Sequence, residues 1–425
     1  MMTDWPARVF DHIDGDVDAM IDFLADLVRI PSVTGSDAEH EAQAWLAARL
    51  HDEGLEIDHW QIPLADLLSA PDFPGVEAPR TAAWGLVGRL PGRSGGRSLM
   101  FNGHVDVVPP GDLNAWSTRD PFSGRICGEF VYGRGACDMK GGLVAAIFAV
   151  RALRRARVPL RGDVILACVQ SEEDGGLGTF ATLRRGWRAD ACVIAEPTSL
   201  DIVPANGGAL TFRLRVHGLA AHASRRTEGV SAIEKLWPIF QALRSLERHR
   251  NTDVDPLMRR WDIAYPIEIG TVRAGDWPSS VPDSLVAEGR FGVMLDEPVG
   301  AARRALEDAV AEACAADPWL REHPVSVEWW GGQFASGRLR AEDRDLLERM
   351  RRAHAATCGR TPDVYGAPYG SDLRLLTGIG DIPTLQYGPG DVKLAHATDE
   401  RVSIPDVITA ARALALLALD HCGIL

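Results

Sequence analysis

Three absences narrow the field before any motif is read. No stretch of about 18 apolar residues is present to span a bilayer, and the most apolar segment, Leu414 to Leu419, is far shorter. The opening residues Met1-Met2-Thr3-Asp4-Trp5 form no basic leader with an apolar core behind it, so no secretory signal is read. No CxxC pair occurs among the seven cysteines (Cys127, Cys137, Cys168, Cys192, Cys314, Cys358 and Cys422). Their odd number and wide spacing fit reduced, buried thiols rather than a disulfide or zinc-finger framework, and the expectation is a cytoplasmic protein with no membrane partner. Positive charge is also scarce. Lys and Arg total 45 against 59 Asp and Glu, for a net charge of −14, and a nucleic-acid partner is not expected because phosphate backbones attract the opposite surface.

What is present is ordinary for a globular protein: 46% hydrophobic and 24% charged residues. At 425 residues the chain exceeds what one core usually supports, so two domains are expected. Val17 to Ile30 and Asp37 to Glu53 carry helical spacing, and Gly141 to Arg155 is a helix opening on glycines. Ser98 to Asn102, Asp163 to Gln170 and Ala191 to Ala195 are short apolar runs that end in polar loops, as buried strands of a parallel sheet do. Such alternation implies an α/β domain whose ligands gather at the carboxyl ends of the strands. Past Pro204 the pattern changes. Ala209 to Val216 and Leu285 to Leu295 alternate with period two, helices cover Val230 to Arg248 and Ala301 to Ala315, and a strand lies near Val325 to Trp330. The order β-α-β-β-α-β predicts an α+β open sandwich over residues 205–336, inserted into a catalytic domain made of residues 1–204 and 337–425.

Acidic residues and histidines recur where these strands stop. His104-Val-Asp106 follows the first, and its spacing puts both side chains on one face, so the Asp106 carboxylate can accept from the His104 imidazole. Asp138 sits in the glycine-flanked Gly133-Arg-Gly-Ala-Cys-Asp-Met-Lys-Gly-Gly142. That loop lacks the GxGxxG spacing of a phosphate cradle, and an anion at its centre suits a cation better. Cys137 is soft enough to bind zinc but points away from Asp138. Glu172 and Glu173 follow the next strand and point in different directions, so one can bind metal while the other serves as a general base. Glu196 follows the third strand, and His396 precedes the last helix. Each alone is unremarkable and reads first as a polar turn or a loop histidine. Together, two His, one Asp and two Glu supply enough nitrogen and oxygen for two zinc-like ions sharing a carboxylate, and cobalt or manganese fits the same mix.

These five ordered segments, with a domain inserted after the fourth, resemble the acetylornithine deacetylase, succinyl-diaminopimelate desuccinylase and carboxypeptidase G family of co-catalytic metal hydrolases. The resemblance spans nearly the whole chain. It implies a catalytic domain of zinc-peptidase type interrupted by a ferredoxin-like lid and dimerisation domain, and hence a homodimer. It further implies that Asp138 bridges two metals, that His104 and Glu196 complete one site, and that Glu173 and His396 complete the other. Glu172 is then the general base, Asp106 the carboxylate behind His104, and Asp138-Met139 a cis peptide.

In the insert, Val216-His217-Gly-Leu-Ala-Ala-His222-Ala-Ser224 resembles the family's GxxAHAS segment, which implies that His222 reaches across a dimer interface to stabilise an oxyanion. Tyr369-Gly-Ser371-Asp372-Leu-Arg374 resembles its GGTDAR segment, so Ser371 is expected to line the pocket. Two departures concern the substrate's carboxylate. Many relatives place Asn before, and Arg after, a VIPD-like turn; here Ser279 and Gly292 stand in their places, with Arg290 on the same strand face as Gly292. Asn206-Gly207-Gly208 stands where relatives often carry a charge. Arg290, Ser371 and Asn206 are the candidate substrate contacts. The expected reaction is deacylation of an N-acyl amino acid. The alternatives are a metallocarboxypeptidase or dipeptidase, an amide or amine hydrolase for an aromatic or heterocyclic substrate, and a catalytically silent binding module.

Overall fold

The computed structural model describes residues 4–93 and 95–425. The chain divides into two compact units, one comprising the chain up to Pro204 with Arg338–Tyr365 and Ser371–Leu425, the other Ala205–Gly337 with Gly366–Gly370. The grouping of Gly366–Gly370 with the second unit departs from the expected boundary, which left these residues in the catalytic domain.

The first unit is built on a mixed sheet ordered Glu56–Gln61, Trp84–Leu90, Val164–Val169, Leu99–His104, Ala191–Ile194, Thr384–Gln386, Ile202–Asn206 and Gly337–Arg338, with Val364–Ala367 paired to Ile202–Asn206. Leu99–His104 runs parallel to both Val164–Val169 and Ala191–Ile194, and Thr384–Gln386 parallel to Ala191–Ile194. Both faces of these strands are buried. Leu99, Phe101, Leu166 and Val193 face one apolar core, while Met100, Ile165, Ala167 and Ile194 face the other. That is why their sequences read as continuous apolar runs rather than alternating ones. The helix Gly141–Arg155 is buried along nearly its whole length and contributes to the first core together with Ile404–Cys422. Because the register is parallel, His104, the residues after Val169 and those after Ile194 all emerge at one edge of the sheet. Among the described residues no helix is long and apolar enough to cross a membrane.

The second unit is a four-stranded antiparallel sheet ordered Ile267–Ala274, Ser284–Val293, Gly208–His217, Ser326–Phe334, with helices Ala232–Arg250 and Val299–Ala316 packed on it. This is the β-α-β-β-α-β ferredoxin-like sandwich. Its strand Ile267–Ala274 was not locatable from alternation: it is a mostly exposed edge strand, and a bulge between Ile269 and Thr271 breaks the period of two.

Candidate metal centre

His104 closes its strand with its ring 1% exposed. Nδ1 lies 2.8 Å from the backbone carbonyl of Asp106. A carbonyl only accepts, so Nδ1 carries a proton, and Nε2 is the ring atom turned toward Asp138. This corrects the expected pairing with the Asp106 carboxylate, which stands 3.6 Å from Nδ1. An i, i+2 spacing puts two side chains on one face but does not say whether carbonyl or carboxylate is nearer. The Asp106 carboxylate instead accepts from the backbone N–H of Glu172 and of Glu173, each at 3.2 Å, and from Thr34 Oγ1 at 3.1 Å. It thereby fixes the turn that carries both glutamates.

Asp138 is held from behind. Gly135 has φ of 85°, a conformation natural only to glycine, and the Asp138-Met139 peptide is cis. Glu400, fully buried, turns Oε1 toward three backbone N–H groups, those of Gly135 (3.0 Å), Cys137 (2.9 Å) and Asp138 (3.0 Å). Its Oε2 accepts from Arg134 Nη1 at 2.6 Å, and Arg134 donates onward to the carbonyls of His396 (3.1 Å) and Ala397 (3.2 Å). One buried ion pair thus ties the Asp138 loop to the His396 loop. The Cys137 thiol points away, toward the Asp391 carbonyl.

The result is two triads sharing one carboxylate. Side-chain donors of His104, Asp138 and Glu196 lie within 4.8 Å of one another, as do those of Asp138, Glu173 and His396. Asp138 Oδ1 is 3.2 Å from His104 Nε2, while Oδ2 is 3.5 Å from His396 Nε2. His396 Nε2 is 3.2 Å from the Glu173 carboxylate.

The electrostatics follow. Burial opposes charge on Asp138, yet hydrogen bonds from His104 and His396 overcome it and hold the carboxyl well below its usual range. Burial likewise opposes charge on His396, but Asp138 and Glu173 push its pKa up to about 11. Glu196 and Glu173 are raised, first by burial and then by Asp138; Glu172 is raised by burial and then by Asp372. Buried carboxylates repelling one another around two imidazoles are relieved by a divalent cation placed between them, and the nitrogen–oxygen donor set suits one. The residues present fit a pair of such ions. Glu172 stands apart from both triads, and its Oε1 is buried with no hydrogen-bond partner.

Residues 100–420 match the sequence model of peptidase family M20/M25/M40. The chain belongs to this family. Among M20 relatives, the N-formyl-4-amino-5-aminomethyl-2-methylpyrimidine deformylase of Halalkalibacterium halodurans is 27% identical over 97% of this chain and 96% of its own length. The succinyl-diaminopimelate desuccinylase of Methylorubrum extorquens is 31% identical over 90% of this chain and 93% of its own. The dipeptidase Dug1p of Saccharomyces cerevisiae shares the M20 fold, with a TM-score of 0.77 at 15% identity over 98% of each chain. The chain is accordingly a metal-dependent amide hydrolase with the family's catalytic and inserted domains.

The other expected site residues are dispersed. His222, Arg290 and Asn206 belong to the inserted unit. His222 lies in the two-residue strand Ala221–His222, exposed, with Nδ1 2.8 Å from Ser224 Oγ. Asn206 is buried and donates to the Gly207 carbonyl at 2.9 Å, and Arg290 is exposed on Ser284–Val293. Ser371 is buried in the catalytic unit, where its hydroxyl accepts from the Leu373 N–H at 3.2 Å. The sequence reading assigned no role to Arg134 or Glu400. Arg134 lies within the Gly133 to Gly142 segment and Glu400 four residues after His396, each beside a residue that was singled out.

Proposed function

We propose that this protein is an N-deacylase that hydrolyses the amide of a small N-acylated amine, with Glu172 as general base. His104, Asp138 and Glu196 hold one divalent cation, and Asp138, Glu173 and His396 the other; zinc is the first choice, with cobalt or manganese suited to the same donors. Bound there, the pair supplies Lewis acidity that acidifies a water and polarises the amide carbonyl. The observation that carries the reading is the pair of triads meeting at Asp138 beside an unpartnered, buried Glu172. Glu172 takes the proton of the attacking water and returns it to the leaving nitrogen, roles that favour a carboxyl raised by burial and by Asp372. Asp106 holds the Glu172 backbone while this occurs. His222 serves a second copy of the chain across a homodimer formed through the inserted unit, and the seven free cysteines support a reducing, cytoplasmic setting.

The N-acyl amino acid of the sequence reading remains one substrate class. A specific observation favours the alternative, an acylated aromatic or heterocyclic amine without a carboxylate. Gly292 stands where many relatives carry the carboxylate-binding Arg, and a Cβ there would lie 2.9 Å from the backbone of Tyr265 and 3.0 Å from Pro266 N, so the position is closed to a side chain. The deformylase relative acts, by its name, on a formylated aminopyrimidine.

The test is turnover of N-formyl, N-acetyl and N-succinyl derivatives of amino acids and of aminomethylpyrimidines, with dipeptides as the third arm, each with added zinc, cobalt or manganese. Glu172→Gln is expected to lower kcat by about 10²–10⁴-fold with metal content intact. Loss of metal along with activity would assign Glu172 to a metal instead, and turnover of dipeptides alone would refute deacylation.

A further inference from the structure

The turn that presents Glu172 begins at Ser171, whose φ of 62° lies in the left-handed region that non-glycine residues seldom adopt. Something must hold it there. The Ser171 N–H donates to Glu39 Oε1 at 3.2 Å, and its carbonyl accepts from the Gly176 N–H at 2.6 Å. Its hydroxyl donates to Asp174 Oδ1 and accepts from Arg80 Nη1, the latter at 2.6 Å. Arg80, its side chain 5% exposed, places Nη2 3.5 Å from Glu39 Oε2 and 3.4 Å from Asp174 Oδ2. The two carboxylates are themselves anchored: Glu39 Oε2 accepts from the Gly35 N–H at 3.0 Å, and Asp174 Oδ2 from the Ala78 N–H at 2.8 Å. Glu39 comes from the helix Ala38–Asp52 and Arg80 from the segment before Trp84–Leu90. One guanidinium between two buried carboxylates therefore joins three distant stretches of chain at the residue preceding Glu172.

We propose that Glu39 and Arg80 are positioning residues for Glu172. They touch neither metal donors nor the reacting atoms. By closing both the N–H and the hydroxyl of Ser171, they hold the strained turn in the one arrangement that leaves the Glu172 side chain turned away from other protein donors. The inference rests on Glu172 as the base, but its test does not depend on activity alone.

Two volume-conserving variants of the full chain serve. Glu39→Gln replaces the carboxyl opposite Arg80 by an amide with a single acceptor oxygen, and Arg80→Lys keeps the charge but loses the two-pronged reach. In Glu39→Gln, amide hydrogen exchange over residues 170–176 is expected to rise about tenfold while the helix Gly141–Arg155 stays protected. On the best substrate of the panel, kcat should fall about tenfold with KM within about twofold and metal content unchanged, and Arg80→Lys should fall between this variant and the wild type. Unchanged exchange over 170–176, a rise spread evenly over the unit, or failure of both variants to fold would overturn the proposal in favour of a role in general stability. Wild-type kcat in a variant with a loosened turn would overturn it too. If no panel compound is turned over by the wild type, the deacylase reading falls while the exchange measurement still decides this one.

Discussion

Replacing Glu400 by Gln tests how the metal centre is braced. Glu400 is fully buried and offers two acceptor oxygens, one to three backbone N–H groups of the Asp138 loop and one to Arg134. Burial raises its carboxyl pKa despite these contacts, so its charge alone adds little net stability. What glutamine removes is an acceptor. Its amide has one oxygen and one NH₂, so either the loop or Arg134 faces a donor. Facing the loop would strand three N–H groups; facing Arg134 strands one guanidinium bond, and the side chain will choose the latter. Leaving a buried charged donor unpaired costs about 3 kcal/mol. Arg134 also holds the His396 and Ala397 carbonyls, so its displacement loosens a metal loop as well. Urea unfolding should register a loss of about 3 kcal/mol in the catalytic unit, and elemental analysis a drop in bound metal. A double-mutant cycle with Arg134→Met should give a double variant less destabilised than the sum of the two singles. A loss below about 1 kcal/mol with wild-type metal content would refute the bracing role.

Other consequences are as direct. His354 and His421 are buried and held at about 4, below their ordinary 6.5, by burial first and then by Arg360 and Arg97 respectively. The unfolded chain therefore binds these two protons first, so their contribution is intact above pH 6.5 and is lost as pH falls toward 4, by at most about 3 kcal/mol each. Replacing both by Gln should flatten the stability profile over that window relative to wild type, and an identical slope would contradict it. At Gly142, a Cβ would fall on the Ala195 carbonyl beside Glu196; Gly142→Ala should lower metal affinity by moving Glu196 away from Asp138, as titration with zinc would show. Chelation should destabilise the catalytic unit by about 4 kcal/mol per ion for metal held at a thousandfold its Kd, while unfolding of the inserted unit should not respond.

His104, Glu173 and Glu196 were legible because each sits where a short apolar run stops, and a parallel register carries such stops to one edge; Asp138 was marked by its flanking glycines, and His396 by its place before the last helix. The strand Leu99–His104 with Asp138, Glu173, Glu196 and His396 needed no knowledge of side-chain packing. What escaped depends on closure in space. Glu400 and Arg134 are 266 positions apart, and Glu39, Arg80 and Asp174 come from three separate stretches, so no local spacing marks them. The role of Asp106 was misread because the same face carries both a carbonyl and a carboxylate. Ile267–Ala274 was missed because a bulged, solvent-facing edge strand carries no clean alternation.

The division of the catalytic unit into separated stretches of chain also sets a clock on its birth. Four of the five donors are made by residue 196, but His396 and Glu400 follow only after the whole insert. At about 5–20 residues per second, the 200 residues between Glu196 and His396 take roughly 10–40 s to synthesise. Throughout that interval the nascent protein owns one potential ion triad and lacks the other, together with the brace beneath Asp138. Until His396 is made the second triad cannot assemble, so hydrolysis that draws on both triads would report that synthesis has passed that residue.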